Sequence, residues 1–260
     1  MEGLWFGLGV GLTDPGYVLF RISKSSPIEI IDHVAFARRD QLFAETDAVK
    51  HALGEATHFL LAEGPGGFTA VRMGFAFLHG LRGVFRGGLR YWGVDNFQIV
   101  ARAAGFSTAG LDARSLQQSV ESPSAGQQIT GRLIVSTPSL RTDYFLACYC
   151  LPVANSPNAD CPLPLLWAQN MTKQQLSETA AQFASDGTDG PDGTVTIIGD
   201  RAEELAQIVE AATGIVVQST TKTASARDLS LCTAVCRAIP DSAQPVYLRP
   251  PDIQKPVSAA

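Results

Sequence analysis

The sequence predicts an α/β fold built around a mixed β-sheet. Three consecutive apolar runs separated by turn-forming residues open the chain, an amphipathic helical pattern follows, and short apolar runs then alternate with helical segments. Strands followed by alternating strands and helices are typical of an α/β layer. The composition, 45% hydrophobic and 17% charged residues, is that of an ordinary globular protein.

The first three elements are predicted to be short antiparallel strands in succession. Apolar runs lie at Leu4–Leu12, Tyr17–Ile22 and Ile28–Phe36. Turn-forming residues separate them at Thr13–Gly16 and Ser25–Pro27. Such spacing favours a three-stranded meander.

The next element changes period and predicts an amphipathic helix over Asp40–Leu53. Gly54 would end this helix as a left-handed C′ residue. One helical stripe carries the apolar and small side chains, which are Leu42, Thr46, Val49 and Leu53.

A glycine turn then joins a predicted strand, His58–Ala62, to a long helix from about Thr69 to Phe85. We define the glycine turn as Gly64, Pro65, Gly66, Gly67 and Thr69. Two interpretations stay open: a tight structural turn, or an anion site formed by exposed N–H groups at a helix N-terminus. The spacing matches neither a Gly-Lys-Ser/Thr phosphate loop nor G-x-G-x-x-G.

The helix after the glycine turn is predicted to be apolar around its whole circumference. Such a helix must be covered on all sides, either within this chain or by a partner. Glycines at 74, 80 and 83 lower its helix propensity by about 1 kcal/mol each but would let another helix approach closely. Its apolar side chains are Val71, Met73, Phe75, Phe77, Leu78, Leu81, Val84 and Phe85.

The remaining elements divide the chain into two structured parts. Strand Gly88–Val94 and helix Asp95–Ala104 complete a first subdomain, residues 1–104, and Ser, Gln, Gly and Thr dominate a flexible insertion at 105–130. A second subdomain spans residues 131–240, with a tail at 241–260. Its predicted strands are Leu133–Thr137, Tyr144–Leu151 and Thr194–Ile198. Its first predicted helix is Thr172–Ala184. A second helix begins at an Asp200/Glu203 capping box. The last predicted helix, Ala224–Ala238, could pack back on the first subdomain.

Charge and segment composition restrict the class of protein. The net charge of −5 and the small basic group Arg82, Arg86 and Arg90 do not suit a protein that grips RNA alone. No apolar run is long enough to span a membrane, and no basic segment precedes the apolar N-terminus. We therefore expect a cytoplasmic protein that does not bind membranes.

No catalytic or metal-binding set emerges from the sequence. The five cysteines are interpreted as small buried hydrophobic residues rather than a zinc site, and the four histidines form no H-x-x-x-H or H-E-x-x-H pair. No G-x-S-x-G elbow is present. Asp95 and Asp200 stand where strands pass into helices, as ligand-binding residues do and as helix N-caps also do.

Four segments resemble the TsaB (YeaZ) family in sequence and in order. Glu63–Gly74 is similar to the family segment G-P-G-S-F-T-G-V-R-I-G, and Pro245–Asp252 to its P-x-Y-L-R-x-P signature. Gly93–Phe97 and Thr196–Asp200 resemble two strand ends of the family. Together the segments span most of the chain.

This resemblance implies an actin/Hsp70-like ATPase (ribonuclease H-like) fold of two related subdomains with mixed sheets and flanking helices. It also implies a non-catalytic partner of TsaD, the subunit that transfers threonylcarbamoyl to an adenosine of tRNA. Partners would be a TsaD-like paralogue and a TsaE-like ATPase, or a second copy when alone, with tRNA contacted only indirectly. The resemblance implies no cofactor bound by this chain alone, and ATP with magnesium at the joint surface with TsaD.

The implied interface comprises the two long helices. Their partner-facing residues would be Leu42, Thr46, Val49, Leu53, Val71, Phe75, Phe77, Leu78, Leu81 and Phe85.

Three departures from the family pattern imply a divergent member. Leu8–Thr13 has no carboxylate before Asp14, Arg38–Gln41 lacks the family histidine, and Ser136–Pro138 replaces an Asp-Ala-Arg step. Magnesium near phosphates prefers carboxylate oxygens, which weakens nucleotide chemistry at the first strand. The alternatives are a nucleotide-using enzyme of the same fold, of the small-molecule kinase type, and a peptidase as old family labels suggest.

Overall fold

The computed structural model describes residues 1–24, 26–44, 46–85, 88–106, 108, 129–137, 139, 143–152, 165–185 and 194–246. The strands are β1 (Gly3–Gly9), β2 (Gly16–Ile22), β3 (Glu29–Ala35), β4 (His58–Ala62), β5 (Arg90–Val94), β6 (Ile129–Thr137), β7 (Tyr144–Pro152), β8 (Leu165–Met171), β9 (Thr194–Gly199), β10 (Val217–Thr221) and β11 (Arg237–Ala238). The helices are α1 (Gln41–Ala44), α2 (Thr46–Glu55), α3 (Phe68–Val84), α4 (Asn96–Ala103), α5 (Lys173–Ser185) and α6 (Ala202–Thr213), with a 3₁₀ helix at Ala226–Cys232.

The first sheet has the strand order β11-β5-β4-β1-β2-β3. Strands β1, β2 and β3 form the predicted antiparallel meander. Strands β4 and β5 then add in parallel to β1. The buried strands β1 and β4 read as nearly continuous apolar runs because both of their faces are covered.

The second sheet repeats this arrangement. Its order is β10-β9-β6-β7-β8, with an antiparallel meander of β6, β7 and β8 and parallel addition of β9 and β10. The predicted fold of two related α/β subdomains with mixed sheets is therefore confirmed.

Three apolar clusters fix the layers. Helices α2 and α3 cover one face of the first sheet. Helices α5 and α6 cover the outer face of the second sheet. The third cluster lies between the sheets and includes Phe97 of α4, Leu229 of the 3₁₀ helix and Leu133 of β6.

The predicted last helix, Ala224–Ala238, is wrong. A 3₁₀ helix covers Ala226–Cys232, opened by a capping box between Ser225 and Asp228. The chain then extends as β11, which pairs antiparallel with β5. Pairing at this edge supplies backbone partners that a continued helix could not give to β5.

Two predicted helix ends are also corrected. Asp200 does not cap α6, because Arg201 occupies the N-cap position with a left-handed φ of 56° and no side-chain capping bond. Gly54 does not end its helix, which continues to Glu55. The predicted helix Asp40–Leu53 appears as α1 and α2, on either side of residue 45.

Some predictions fall on residues that the structure does not describe. These are most of the insertion at 105–130 and the part of the C-terminal signature from residue 247 onward. Strands β8 and β10 were not predicted. Among the described helices, none has the length and apolar character to cross a membrane.

Candidate functional site

The glycine turn is a rigid connection held by Asn96 of α4. Gly64 has a φ of +101°, which favours glycine. A Cβ added to Gly66 would lie 2.7 Å from the carbonyl oxygen of Gly11. The Asn96 side-chain amide donates to the carbonyl oxygens of Gly11 (3.3 Å) and Pro65 (2.8 Å). These contacts favour the tight-turn interpretation for Gly64–Gly66.

Glu63 precedes the turn as a buried carboxylate with one charged partner. The Arg237 guanidinium of β11 donates to it at 3.0 and 3.2 Å. Burial raises the pKa of Glu63, and the attraction to Arg237 opposes that rise. The backbone N–H of Val246 also donates to the Glu63 carbonyl oxygen at 3.1 Å. This hydrogen bond places the chain around Val246 beside the glycine turn.

The predicted partner-facing residues lie mostly in the core beneath α1, α2 and α3. Seven of them are buried there against the first sheet: Leu42, Val49, Leu53, Val71, Phe75, Leu78 and Leu81. Phe77 and Phe85 are partly buried against the same core. The side chain of Thr46 lies outside the described set.

Helix α3 is not apolar around its circumference. Its large apolar side chains gather on the sheet-facing side, where Val71, Phe75 and Leu78 are buried. The opposite side is exposed and is made of polar or very small residues. We call it the small-residue face and define it as Thr69, Arg72, Ala76, His79, Gly80 and Gly83.

The three glycines of α3 occupy different environments. A Cβ added at Gly74 would lie 3.0 Å from Leu61 Cδ1, so packing within the chain favours glycine there. Added Cβ atoms at Gly80 and Gly83 would meet no atom of the described residues within 4 Å. Intramolecular packing therefore does not explain these two glycines.

A surface cavity of about 530 Å³ opens at the N-terminal end of α3. Two arginines and two threonines give it polar walls. The Arg39 Nε donates to the Val10 carbonyl oxygen at 3.2 Å, and Arg38 forms an ion pair with Asp40 at 2.8 Å. The lining residues are Thr13, Pro15, Ala37, Arg38, Arg39, Asp40, Gly67, Thr69, Ala70 and Met73.

Sequence reasoning did not identify this cavity, although it considered an anion site at the glycine turn. Gly67 and Thr69 of the turn do line the cavity. The Arg38-Arg39 pair gave a local signal, but its position against α3 depends on the packing of three separate loops. The partnership of Glu63 with Arg237 was also missed, since 174 positions separate the two residues.

Other candidate chemistry remains structural. Within the described ranges, no group of three or more His, Cys, Asp or Glu side chains could hold a metal ion. Burial raises the pKa of the Cys236 thiol to about 11 and that of Cys232 further, which keeps both thiols protonated. Asp95 is confirmed as an N-cap, accepting from the Gln98 N–H at 2.9 Å.

Comparison with known proteins gives structural likeness only. No protein-family profile matches the sequence, and no curated protein is similar in sequence. A crystal structure of an uncharacterized Pseudomonas aeruginosa protein with similarity to peptidase YEAZ aligns with a TM-score of 0.55 and 15% identity, covering 95% of this chain and 100% of that one. YeaZ from Pseudomonas aeruginosa aligns with a TM-score of 0.51 and 13% identity, covering 87% and 88%. The chain thus shares its fold with these proteins.

Proposed function

We propose that this protein is a non-catalytic assembly subunit that binds a TsaD-like paralogue in the threonylcarbamoyl modification of tRNA. Three lines support the proposal: the fold shared with YeaZ, the sequence segments similar to the TsaB family, and the small-residue face of α3. The last of these carries the argument for a protein partner.

Gly80 and Gly83 lower the stability of α3. Each glycine in a helix interior lowers stability by about 1 kcal/mol relative to alanine. The space around both positions is open, so the chain gains no packing in return. A helix of a second subunit could use that space, because small residues allow close approach of two backbones.

Apolar side chains border the small-residue face and would extend such a contact. Met73 and Phe77 are partly exposed on α3, and Val84 is 76% exposed. Arg72 and His79 add polar groups. Protein interfaces commonly combine apolar and polar surface in this way, and arginine is enriched in them.

Ala76 provides the direct test of this face. Ala76→Arg places a long charged side chain at the centre of the contact and should abolish co-purification with the TsaD-like paralogue from the native cell. The matched control is Ala211→Arg, an exposed alanine of α6 in the second subdomain, which should leave co-purification intact. Equal capture of the paralogue by both variants would contradict the proposed face.

Gly80→Leu separates assembly from folding. The variant should be more stable, because leucine has the higher helix propensity and the position is exposed, with room for an added Cβ. It should nevertheless bind the partner more weakly, since leucine prevents close helix approach. Urea denaturation and co-purification, measured on one preparation, check both effects, and unchanged co-purification would count against helix-on-helix contact.

The proposal assigns no catalytic residue and no cofactor to the isolated chain. ATP and magnesium would act at the joint surface with the TsaD-like partner. The purified protein should therefore show no turnover of Mg-ATP. Sustained turnover that survives Ala76→Arg would favour the nucleotide-using enzyme instead.

A further inference from the structure

We infer that the cavity at the N-terminal end of α3 binds a small phosphate-bearing anion. We call it the arginine pocket and define it by Thr13, Arg38, Arg39, Gly67 and Thr69. Its volume of about 530 Å³ suits a small-molecule site. The pocket is formed within one chain, so the inference does not depend on the proposed partner.

Arg39 is held in place while most of its donors remain unused. Its Nε donates to the Val10 carbonyl oxygen, which anchors the half-buried guanidinium to the end of the first hairpin. Its two terminal nitrogens have no partner among the described residues. A guanidinium fixed in this manner suits bidentate binding of phosphate oxygens.

Thr13 supplies a second unused donor. Its hydroxyl oxygen is buried and has no hydrogen-bond partner within the described part of the chain. A buried hydroxyl without a partner costs free energy. The oxygen has almost no accessible surface in the free protein, so rotation of the Thr13 side chain would bring the hydroxyl to a bound acceptor oxygen in the pocket.

The N-terminus of α3 adds a third positive element. The helix has 17 residues, and its N-cap, Gly67, has no side chain to accept from the first-turn N–H groups. The helix dipole places partial positive charge at this end. Backbone N–H groups at such an end are favourable for anions.

The charges that line the pocket sum to an excess of positive charge. Among the described lining residues Asp40 is the one acidic side chain, and both of its carboxylate oxygens accept from Arg38 at 3.1 and 2.8 Å. Arg39 is therefore not neutralised by a lining carboxylate. Pro15, Ala70 and Met73 line the rest of the cavity and could contact an organic group attached to the phosphate.

Calorimetry with pyrophosphate tests the inference. The full-length protein should bind pyrophosphate, and Arg39→Gln should weaken that binding by about tenfold or more, since hydrogen bonds between charged groups are strong. Arg72→Gln is the matched control, because Arg72 is an exposed arginine of α3 outside the pocket. Absence of pyrophosphate binding at millimolar concentration, or equal weakening by both substitutions, would overturn the inference.

Thr13→Val distinguishes a binding role from a folding role. Valine has nearly the same shape and removes a hydroxyl that has no partner among the residues the structure describes. The variant should keep or gain stability while binding pyrophosphate more weakly. Undiminished binding would exclude Thr13 from the site and contradict the inferred geometry.

Two further ligands identify which part of the anion is recognised. AMP should compete with pyrophosphate, whereas adenosine should not, because the phosphate carries the interaction. Competition by adenosine would show recognition of the base and overturn the inferred chemistry. Ala76→Arg should leave pyrophosphate binding unchanged, so failure of the partner proposal would be separate from failure of this one.

Discussion

His58 is an imidazole buried in an aromatic stack. Its ring lies 4.4 Å from the Trp5 ring and 6.3 Å from the Trp92 ring, and its Nδ1 lies 2.9 Å from the Thr57 hydroxyl. Burial lowers the pKa of His58, and Arg90 and the N-terminal amino group lower it further. The folded protein therefore holds His58 in the neutral form.

Neutral His58 predicts a loss of stability in mild acid. Below the unfolded-state pKa of about 6.5, the unfolded chain binds a proton at this site before the folded one does, so stability falls as pH falls. His58→Phe keeps a stacked ring and removes the titration. The stability of His58→Phe relative to the natural protein should therefore rise as the pH falls from about 7 to about 5. Urea titrations at several pH values check this, with exposed His51→Phe as the control.

The pH dependence of stability expected from Glu63 is opposite to that expected from His58. Its folded-state pKa lies above the unfolded value, so its contribution to stability is present in acid and is lost as pH rises through the folded pKa. Glu63→Gln keeps an acceptor for Arg237 and removes the buried charge. The variant should gain stability relative to the natural protein as pH rises from about 4 to about 7. A difference that does not vary with pH would contradict this assignment, and exposed Glu203→Gln is the control.

At the residue scale, the sequence predicts local roles better than distant ones. Asp95 was predicted correctly as an N-cap because its partner, Gln98, lies three positions away. Asp200 looked equally suitable, but the left-handed Arg201 takes the N-cap position. The Glu63–Arg237 pair and the cavity formed by Thr13, Arg39 and Gly67 depend on chain segments brought together by the fold, and no local pattern reveals them.

At the scale of elements, the glycines of α3 give a stability test. Gly80→Ala should raise the free energy of unfolding by about 0.5–1 kcal/mol, because alanine has the higher helix propensity and the site is open. Gly74→Ala should gain less or lose stability, since Leu61 must shift to admit the new methyl group. Urea denaturation of both variants checks the difference, and equal gains would show that Leu61 accommodates the methyl group freely.

Elements with strong periodicity were predicted closely, and those set by neighbours were not. The apolar runs of β1, β2 and β4 and the long helix α3 were found near their observed bounds. The residue pattern of Ala224–Ala238 predicts one helix. The structure differs at its end, because Arg237 and Ala238 pair with the edge strand β5 as β11. Contrary to the prediction, helix α3 is not apolar all round, because small residues such as Ala76, Gly80 and Gly83 occupy its exposed side.

At the scale of the whole molecule, the two subdomains share one apolar cluster. Phe97 of α4 is fully buried in this cluster, which also contains Trp5 of the first sheet and Leu133 of the second. Phe97→Ala should lower the free energy of unfolding by about 3–5 kcal/mol. Both subdomains should still unfold in a single transition, because the loss falls on their common core. Tryptophan fluorescence and circular dichroism should give coincident curves, and separate transitions would contradict a shared core.

The α/β class of the molecule was predictable from its first hundred residues, since strand and helix periods alternate there. The duplication was implied by the family resemblance and not by any repeat in sequence, because the second sheet repeats the strand order of the first with different residues. The pairing of β6 with β7 and β9 shows the second copy.

Strand β11 and Val246 fasten the C-terminal segment to the first sheet. A ribosome must therefore synthesise the chain as far as Ala238 before that sheet is complete. Until Arg237 and Ala238 emerge, β5 remains an unprotected edge and Glu63 lacks its counter-charge. Domains usually mature in the order of synthesis, but here the first sheet is completed only after all strands of the second sheet have been made.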